Sequence, residues 1–198
     1  MKKLDLIMAG VGGQGIILAS DIVSEAALAA GYDVKKTDTL GMAQRGGSVI
    51  SHVRIAPQVW SPLIKKGEVD VLVAFEKLEA ARWSHYLRPG GITIVNSQAL
   101  PPLSVSLGSE RYPSDEEIVD TLKQQTDRLY IVDGTSRVRE LGNTRALNMF
   151  MLGCLSLFMP FKVHIWRDSL RQRIPPKVHK INITAFNQGR EELRGDHL

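Results

Sequence analysis

Two glycine-rich loops hold the residues of this sequence whose types and spacing could do chemistry. In Gly10-Val11-Gly12-Gly13-Gln14-Gly15, glycines stand at the G-x-G-x-x-G spacing. A backbone without side chains can turn tightly there and aim N–H groups at an anion where a helix begins. Two readings stay open. Gly10, Gly12, Gly13, Gln14 and Gly15 could form a phosphate or dinucleotide site, or the glycines could only let a helix lie close to a strand. The second loop, Gly41-Met42-Ala43-Gln44-Arg45-Gly46-Gly47-Ser48, sets an arginine fork between flexible glycines. Arg45 with Gly46 and Gly47 could grip a carboxylate, a phosphate or a partner backbone, and the plainer alternative is a surface loop with a solvated arginine.

The remaining candidates are weaker. NAD binding asks for an acidic residue at the end of the second strand, and Asp38 stands there, although a glycine-rich loop follows it instead of a simple turn into a helix. Ser48, His52 and Arg54 share one strand face with Ile50 and could rim a contact surface or an anion pocket. His52 could carry a proton, but a lone histidine is more often structural. His85, His164, His179 and His197 show no metal-ligand spacing. Cys154, among leucines, reads as a small buried apolar group. Asn143 is placed to cap a helix that carries Arg145 and Asn148 on one side. Trp60, Trp83 and Trp166 are expected to pack locally.

These residues need elements to position them. Residues 4–9 read as a buried strand that runs through the glycine turn into a helix to about residue 30, and 32–38 as a second strand. Residues 48–55 alternate like a strand. The nine residues before them are too few for a parallel crossover, so an antiparallel excursion in an otherwise parallel sheet is predicted. Further strands are predicted at 69–75, 92–96 and 129–133, with helices at 77–87, from the Ser114-to-Glu117 capping-box spacing to about 125, at 136–141, 143–158, 167–173 and 178–193. Helix 143–158 is apolar nearly all round and must be covered on several sides, by a partner or by the domain's own core. The predicted fold is α/β: a three-layer, Rossmann-like arrangement with a mostly parallel, mixed sheet and a helical C-terminal third. No repeat or linker divides the chain, so residues 1–198 are expected to form a single domain.

Composition sets bounds on function. At 198 residues, 43% hydrophobic and 23% charged, the chain has the makings of an ordinary globular core. One cysteine excludes an internal disulfide framework, a four-thiolate zinc site and an iron–sulfur cluster held by this chain alone. The net charge of +4 comes from the tail after residue 161, which holds 8 basic and 4 acidic residues. With 6% aromatic residues and no basic recognition helix, nucleic-acid binding is not expected. The longest uncharged apolar run, 146–161, contains Asn148, Ser156 and Pro160 and is too short to span a bilayer. A cytoplasmic location and no membrane partner are expected.

In order, Gly10-Val11-Gly12-Gly13-Gln14-Gly15, Gly41-Met42-Ala43-Gln44-Arg45-Gly46-Gly47-Ser48-Val49 and Glu140-Leu141-Gly142-Asn143-Thr144-Arg145 resemble the gamma-type subunits of 2-oxoacid:ferredoxin oxidoreductases. The likeness runs on through Ile174-Pro175-Pro176-Lys177 and the segment from Asn182 to Gly189. The form around Gln44 resembles the beta subunit of indolepyruvate ferredoxin oxidoreductases, where pyruvate and 2-oxoglutarate branches more often carry an acidic residue before the arginine. The resemblance implies a subunit of a complex that oxidatively decarboxylates indolepyruvate or other aryl pyruvates, captures the acyl group on coenzyme A and passes electrons to ferredoxin. It also implies a hetero-oligomer whose large alpha subunit carries thiamine diphosphate, Mg and 4Fe-4S clusters, while this chain binds no cofactor firmly and is inactive alone. This chain has no Gly-Asp-Gly motif for a metal diphosphate. Coenzyme A is the ligand its two glycine loops could meet. The alternatives are the gamma subunit of a pyruvate or 2-oxoglutarate ferredoxin oxidoreductase, a free-standing NAD- or FAD-binding oxidoreductase built on Gly10, Gly12, Gly15 and Asp38, and a scaffold whose glycines bind nothing.

Overall fold

The structure, a computed structural model, describes residues 3–40 and 47–195. In chain order it contains β1 (Leu4–Val11), α1 (Ile16–Ala29), β2 (Asp33–Leu40), β3 (Ser48–Ala56), β4 (Val69–Ala74), α2 (Lys77–Trp83), β5 (Leu87–Asn96), α3 (Leu103–Ser106), α4 (Asp115–Lys123), β6 (Arg128–Val132), α5 (Gly134–Glu140), α6 (Leu147–Leu155), α7 (Val163–Arg173) and α8 (His179–Glu192). The six strands form one sheet in the order β2-β3-β1-β4-β5-β6. β1, β4, β5 and β6 are parallel, and β3 lies antiparallel between β2 and β1. The predicted excursion is therefore present, and β3 alone runs against the rest. The short connection into β3 permits only a return beside β2, and the outward face of that return then accepts β1.

Alternation places the layers. Leu6 and Met8 of β1, Val53 and Ile55 of β3 and Val71 and Val73 of β4 face the larger core with α1, α6, α7 and α8, around buried Phe150, Trp166 and Phe186. On the other face Ile7, Ile50 and Leu72 meet Ile64 and Leu87, while Ala74 and Val95 meet Ala80 of α2 and Ile118 and Leu122 of α4. Helices on both faces give three layers. Ser114 caps α4 through a complete capping box with Glu117.

Several elements depart from expectation: α3 falls in a stretch read as a connection, and α7 begins at Val163, four residues before the predicted start. α2 stops at Trp83 and a 3-10 turn (Ser84–Tyr86) follows, because Leu87 is already paired with Val69 in β5 and buried beneath the sheet. Pro89-Gly90-Gly91 therefore lies within the strand, at a register shift, and does not precede it. The predicted helix 143–158 is divided: Asn143 caps a 3-10 turn (Thr144–Ala146), and α6 ends at Leu155, where the Ser156 hydroxyl donates to the Gly153 carbonyl at 2.6 Å. The domain's own core covers α6. Every residue from Leu147 to Leu155 is buried, chiefly against α8.

Candidate functional site at the carboxyl edge of the sheet

β1, β4, β5 and β6 end on one edge, where α1, α2 and α5 begin, the position at which open α/β sheets take ligands. Apolar β1 delivers the chain into the glycine turn, and each glycine there answers a different demand. A Cβ on Gly10 would lie 2.9 Å from Phe75 Cβ and 2.8 Å from the Gln14 amide oxygen. Gly15 has φ +78°, and a Cβ on it would lie 2.5 Å from the Asn148 amide nitrogen. Gly13 has φ +106° and faces open space. Crowding thus explains Gly10 and Gly15. α1 nevertheless starts without a side-chain cap or an acidic residue in its first turn, so its positive end is not neutralised locally.

Gln14 is the working side chain of this turn. Its oxygen accepts from Val11 N at 2.8 Å and its nitrogen donates to the Phe75 carbonyl at 2.9 Å, which locks the end of β1 to the end of β4. Asn96, at the end of β5, donates to the same carbonyl at 3.0 Å and to the Thr135 hydroxyl at 3.0 Å, and its oxygen accepts from Thr135 N at 3.2 Å. A polar seam thus joins the ends of β1, β4 and β5 to the start of α5. The two glycine loops also meet, since Gly12 N donates to the Gly47 carbonyl at 2.8 Å. Arg45 and Gly46 lie outside the described residues, as do Gly41, Gln44 and His197.

A cleft of about 490 Å³ opens beside Gly47 and Ser48, walled by Glu76, Glu79, Arg82 and the 97–113 connection. Its two buried acids, Glu76 and Glu79, are bound inward. Glu76 accepts from Glu79 N, Leu100 N and the Tyr112 hydroxyl; Glu79 accepts from the Ser48 hydroxyl and from Trp83 Nε1 at 3.2 Å. Arg82 reaches Glu79 only at 3.5 Å, and Arg111, paired with Glu117, is held more firmly charged by that bond. Arg82 and Arg111 give the rim two guanidinium forks that could meet an anionic group, beside the exposed carboxylate of Glu110, which also lines the cleft. Sequence reasoning missed Glu76, Glu79, Asn96 and Thr135. The one available signal was an acid directly following the apolar strand at Phe75.

The anticipated rim of Ser48, His52 and Arg54 does not form. Ser48 joins the cleft, but Arg54 is at the opposite edge, bound through two bonds to buried Asp5 (2.9 and 3.0 Å) and to Glu68 at 3.3 Å. His52 lies between them, buried, with Nδ1 accepting from Ile64 N at 3.4 Å and its ring edge-on to Tyr86. Burial holds its pKa below the ordinary histidine value, which suits a neutral structural ring. Asp38 is occupied by the Ser51 hydroxyl (2.6 Å) and Lys36 (3.0 Å), with β3 between its strand and the glycine turn. Asn143 caps as expected, accepting from Arg145 N at 3.1 Å. Arg145 is exposed while Asn148 is buried against Gly15, because the 3-10 turn separates their directions. Trp166 is buried and Trp83 half-buried, but Trp60 does not pack locally: it is 85% exposed. Burial pushes the Cys154 thiol far up, so it is inert as a nucleophile.

The chain as a whole matches a known group of proteins. The family model for pyruvate ferredoxin/flavodoxin oxidoreductases matches residues 5–192. The chain belongs to that family. It is 35% identical over 192 residues to the indolepyruvate oxidoreductase subunit IorB of Pyrococcus horikoshii, covering 96% of this chain and 95% of the relative. Among solved structures, a keto/oxoacid ferredoxin oxidoreductase gamma subunit from Geobacter sulfurreducens matches with TM-score 0.71 and 22% identity, over 96% of this chain and 97% of that one. The 2-oxoglutarate:ferredoxin oxidoreductase from Magnetococcus marinus, with 2-oxoglutarate, coenzyme A and succinyl-CoA bound, matches with TM-score 0.75 and 21% identity over 98% of this chain, which spans about a third (32%) of that longer chain. These likenesses carry the mixed α/β fold expected from the sequence, and the family assignment carries the role: a gamma-type subunit of a 2-oxoacid:ferredoxin oxidoreductase.

The chain's own donors do not suit an iron–sulfur cluster, since its one cysteine is buried in the main core. Among the described residues no group of three metal-ligating side chains occurs, and no helix is long and apolar enough to cross a membrane.

Proposed function

We propose that this chain is the small, non-cofactor-bearing subunit of a thiamine-dependent enzyme that oxidatively decarboxylates indolepyruvate or related aryl pyruvates to acyl-CoA, with ferredoxin as electron acceptor. The likeness to the indolepyruvate oxidoreductase subunit, end to end at 35% identity, is the observation that supports it. Thiamine diphosphate, Mg and the 4Fe-4S clusters would reside on the large alpha subunit. This chain would supply binding, shape and charge. Its contribution would be an anion site at the carboxyl edge: the uncapped start of α1 after Gly10, Gly12, Gly13, Gln14 and Gly15, together with Gly47, whose carbonyl accepts from Gly12 N, and the Arg45 and Gly46 that precede it in sequence. The phosphates of coenzyme A fit that chemistry, arriving beside the cleft lined by Arg82 and Arg111. We read residues 1–198 as one domain acting in the cytoplasm.

Co-expression with the large subunit encoded in the same genome tests the assignment. Indolepyruvate- and coenzyme A-dependent reduction of a viologen dye should require both chains, and activity with pyruvate or 2-oxoglutarate in preference would move the enzyme to another branch of the family. In the assembled enzyme, Arg45→Ala should raise KM for coenzyme A several-fold and leave KM for the 2-oxoacid unchanged. Unchanged kinetics for both would remove the anion role.

A further inference from the structure

We infer that Arg167, Arg190 and Arg194 form a binding site for an anion of phosphate chemistry, where the end of α6 meets α7 and α8. The site goes beyond the subunit reading and does not depend on it. It accounts for the basic tail, whose charge has no role at the glycine edge. Of the five arginines after residue 161, Arg171 pairs with Asp168 at 3.2 Å and Arg173 with Glu25 at 2.5 Å. The other three have no carboxylate within ion-pair distance among the described residues, and they are the three that converge. Neutral partners hold two of them. Arg190 Nη1 donates to the hydroxyl of buried Ser156 at 2.5 Å, and that hydroxyl in turn donates to the Gly153 carbonyl. One turn earlier on the same face of α8, Asn187 accepts from Arg167 Nη2 at 2.9 Å, which fixes α7's arginine beside Arg190. Arg194 follows one turn later and is exposed. The neighbouring acids turn another way: Glu191 and Glu192 line a cleft with Arg137, to which Glu192 is paired.

Three guanidiniums without a counter-charge are unfavourable in a partly buried corner. None can shed its proton at neutral pH, so each repels the other two. Burial first, then the nearness of Arg194 and of Arg167, hold the Arg190 pKa below the ordinary arginine value. Arg167 Nε is buried with no acceptor, a second sign that this corner lacks a partner. An oxyanion between the forks supplies the missing charge, and each fork keeps donors free after its bond to Ser156 or Asn187. A carboxylate brings one charge and two oxygens, whereas a phosphate brings nearly two charges and more oxygens, the closer match to three forks. The glycine turn does not share this corner. Asn148 touches Gly15 at the start of α6, and Ser156 follows its end, roughly 12 Å along the helix axis.

Thermal melting of the full chain in inorganic phosphate, against chloride of the same ionic strength, tests the site. The wild type should gain about 3–6 °C, the rise that a ligand at about ten times its Kd gives a domain of this size. Arg194→Gln removes an exposed guanidinium with no partner among the described residues, so this variant should fold normally and lose at least half of the gain. Arg190→Gln should lose nearly all of it, and Arg45→Ala should keep it. ADP in place of phosphate separates the two sources of this chemistry. An equal gain marks free phosphate as the ligand, and a larger gain that Arg190→Gln abolishes marks a phosphoryl group carried on a larger molecule. No gain in the wild type overturns the site. A gain unchanged in both tail variants, or one lost in Arg45→Ala, puts the anion elsewhere and overturns it equally, the second by moving it to the glycine edge.

Discussion

Gly13 and Gly15 sit two residues apart with left-handed backbones, but only one of them has a neighbour where a side chain would go. Alanine at Gly13 meets open space, so its penalty is conformational, about 1–3 kcal/mol. Alanine at Gly15 meets the same penalty and also drives a Cβ to 2.5 Å from the Asn148 amide, adding about 1–3 kcal/mol of overpacking. Urea midpoints at constant slope should rank Gly15→Ala clearly below Gly13→Ala, and Asn148→Ala in the Gly15→Ala background should recover part of the difference. Equal losses would mean that Asn148 yields freely and that crowding does not explain Gly15. His52 gives a second residue-scale expectation. Its folded pKa is lowered, so as pH falls through the ordinary histidine value near 6.5 the unfolded chain takes up the proton first, and stability that is full above that pH declines below it. Melting from pH 7.5 to 5.5 should show this decline in wild type and a flatter profile in His52→Gln. A profile unaltered by the substitution would place the titration elsewhere.

At the scale of elements, α6 and α8 approach so closely that their backbones touch across two glycines. A Cβ on Gly153 would lie 2.1 Å from the Phe186 carbonyl oxygen, and one on Gly189 would lie 1.9 Å from that of Phe150. Neither obstacle is a side chain that can swing aside. Gly189→Ala should therefore force the helices apart and lose about 3 kcal/mol or more, read as a collapsed melting transition or insoluble protein. A stable variant would show that the pair slides without loss. This contact was not legible in the sequence, because the two glycines belong to separate helices and nothing local marks their meeting. The strands were legible for the converse reason: β1 and β4 are covered on both faces and appear as continuous apolar runs, and the shortness of the connection before Ser48 was enough to reverse β3. The turn at the edge was legible at its glycines, where backbone chemistry makes it. The rest of the edge was hidden where long-range hydrogen bonds make it, in Glu76 holding Leu100 and Tyr112 and in Asn96 holding Phe75 and Thr135.

For the molecule as a whole, strand order argues against an oxidoreductase that holds a dinucleotide at the glycine turn. Dinucleotide folds place the acid ending the second strand beside the glycine turn, where it meets the ribose. Here β3 is inserted between β2 and β1, so the strands bearing Asp38 and the turn are two spacings apart, about 9–10 Å, and the carboxylate is already bonded to Ser51 and Lys36. The isolated chain should therefore be colourless and indifferent to nicotinamide nucleotides. The expectation is sharp because linkage makes real binding visible. A ligand present at 100 times its Kd adds about 2.7 kcal/mol, which in a domain of this size raises the melting temperature by roughly 5–11 °C. With 1 mM NAD or NADPH, no resolvable shift is expected. A rise of about 5 °C or more, or a flavin absorbance that persists through purification, would mean that the glycine turn holds a dinucleotide without the usual acid, and the phosphate role assigned to it with Arg45 would have to be withdrawn.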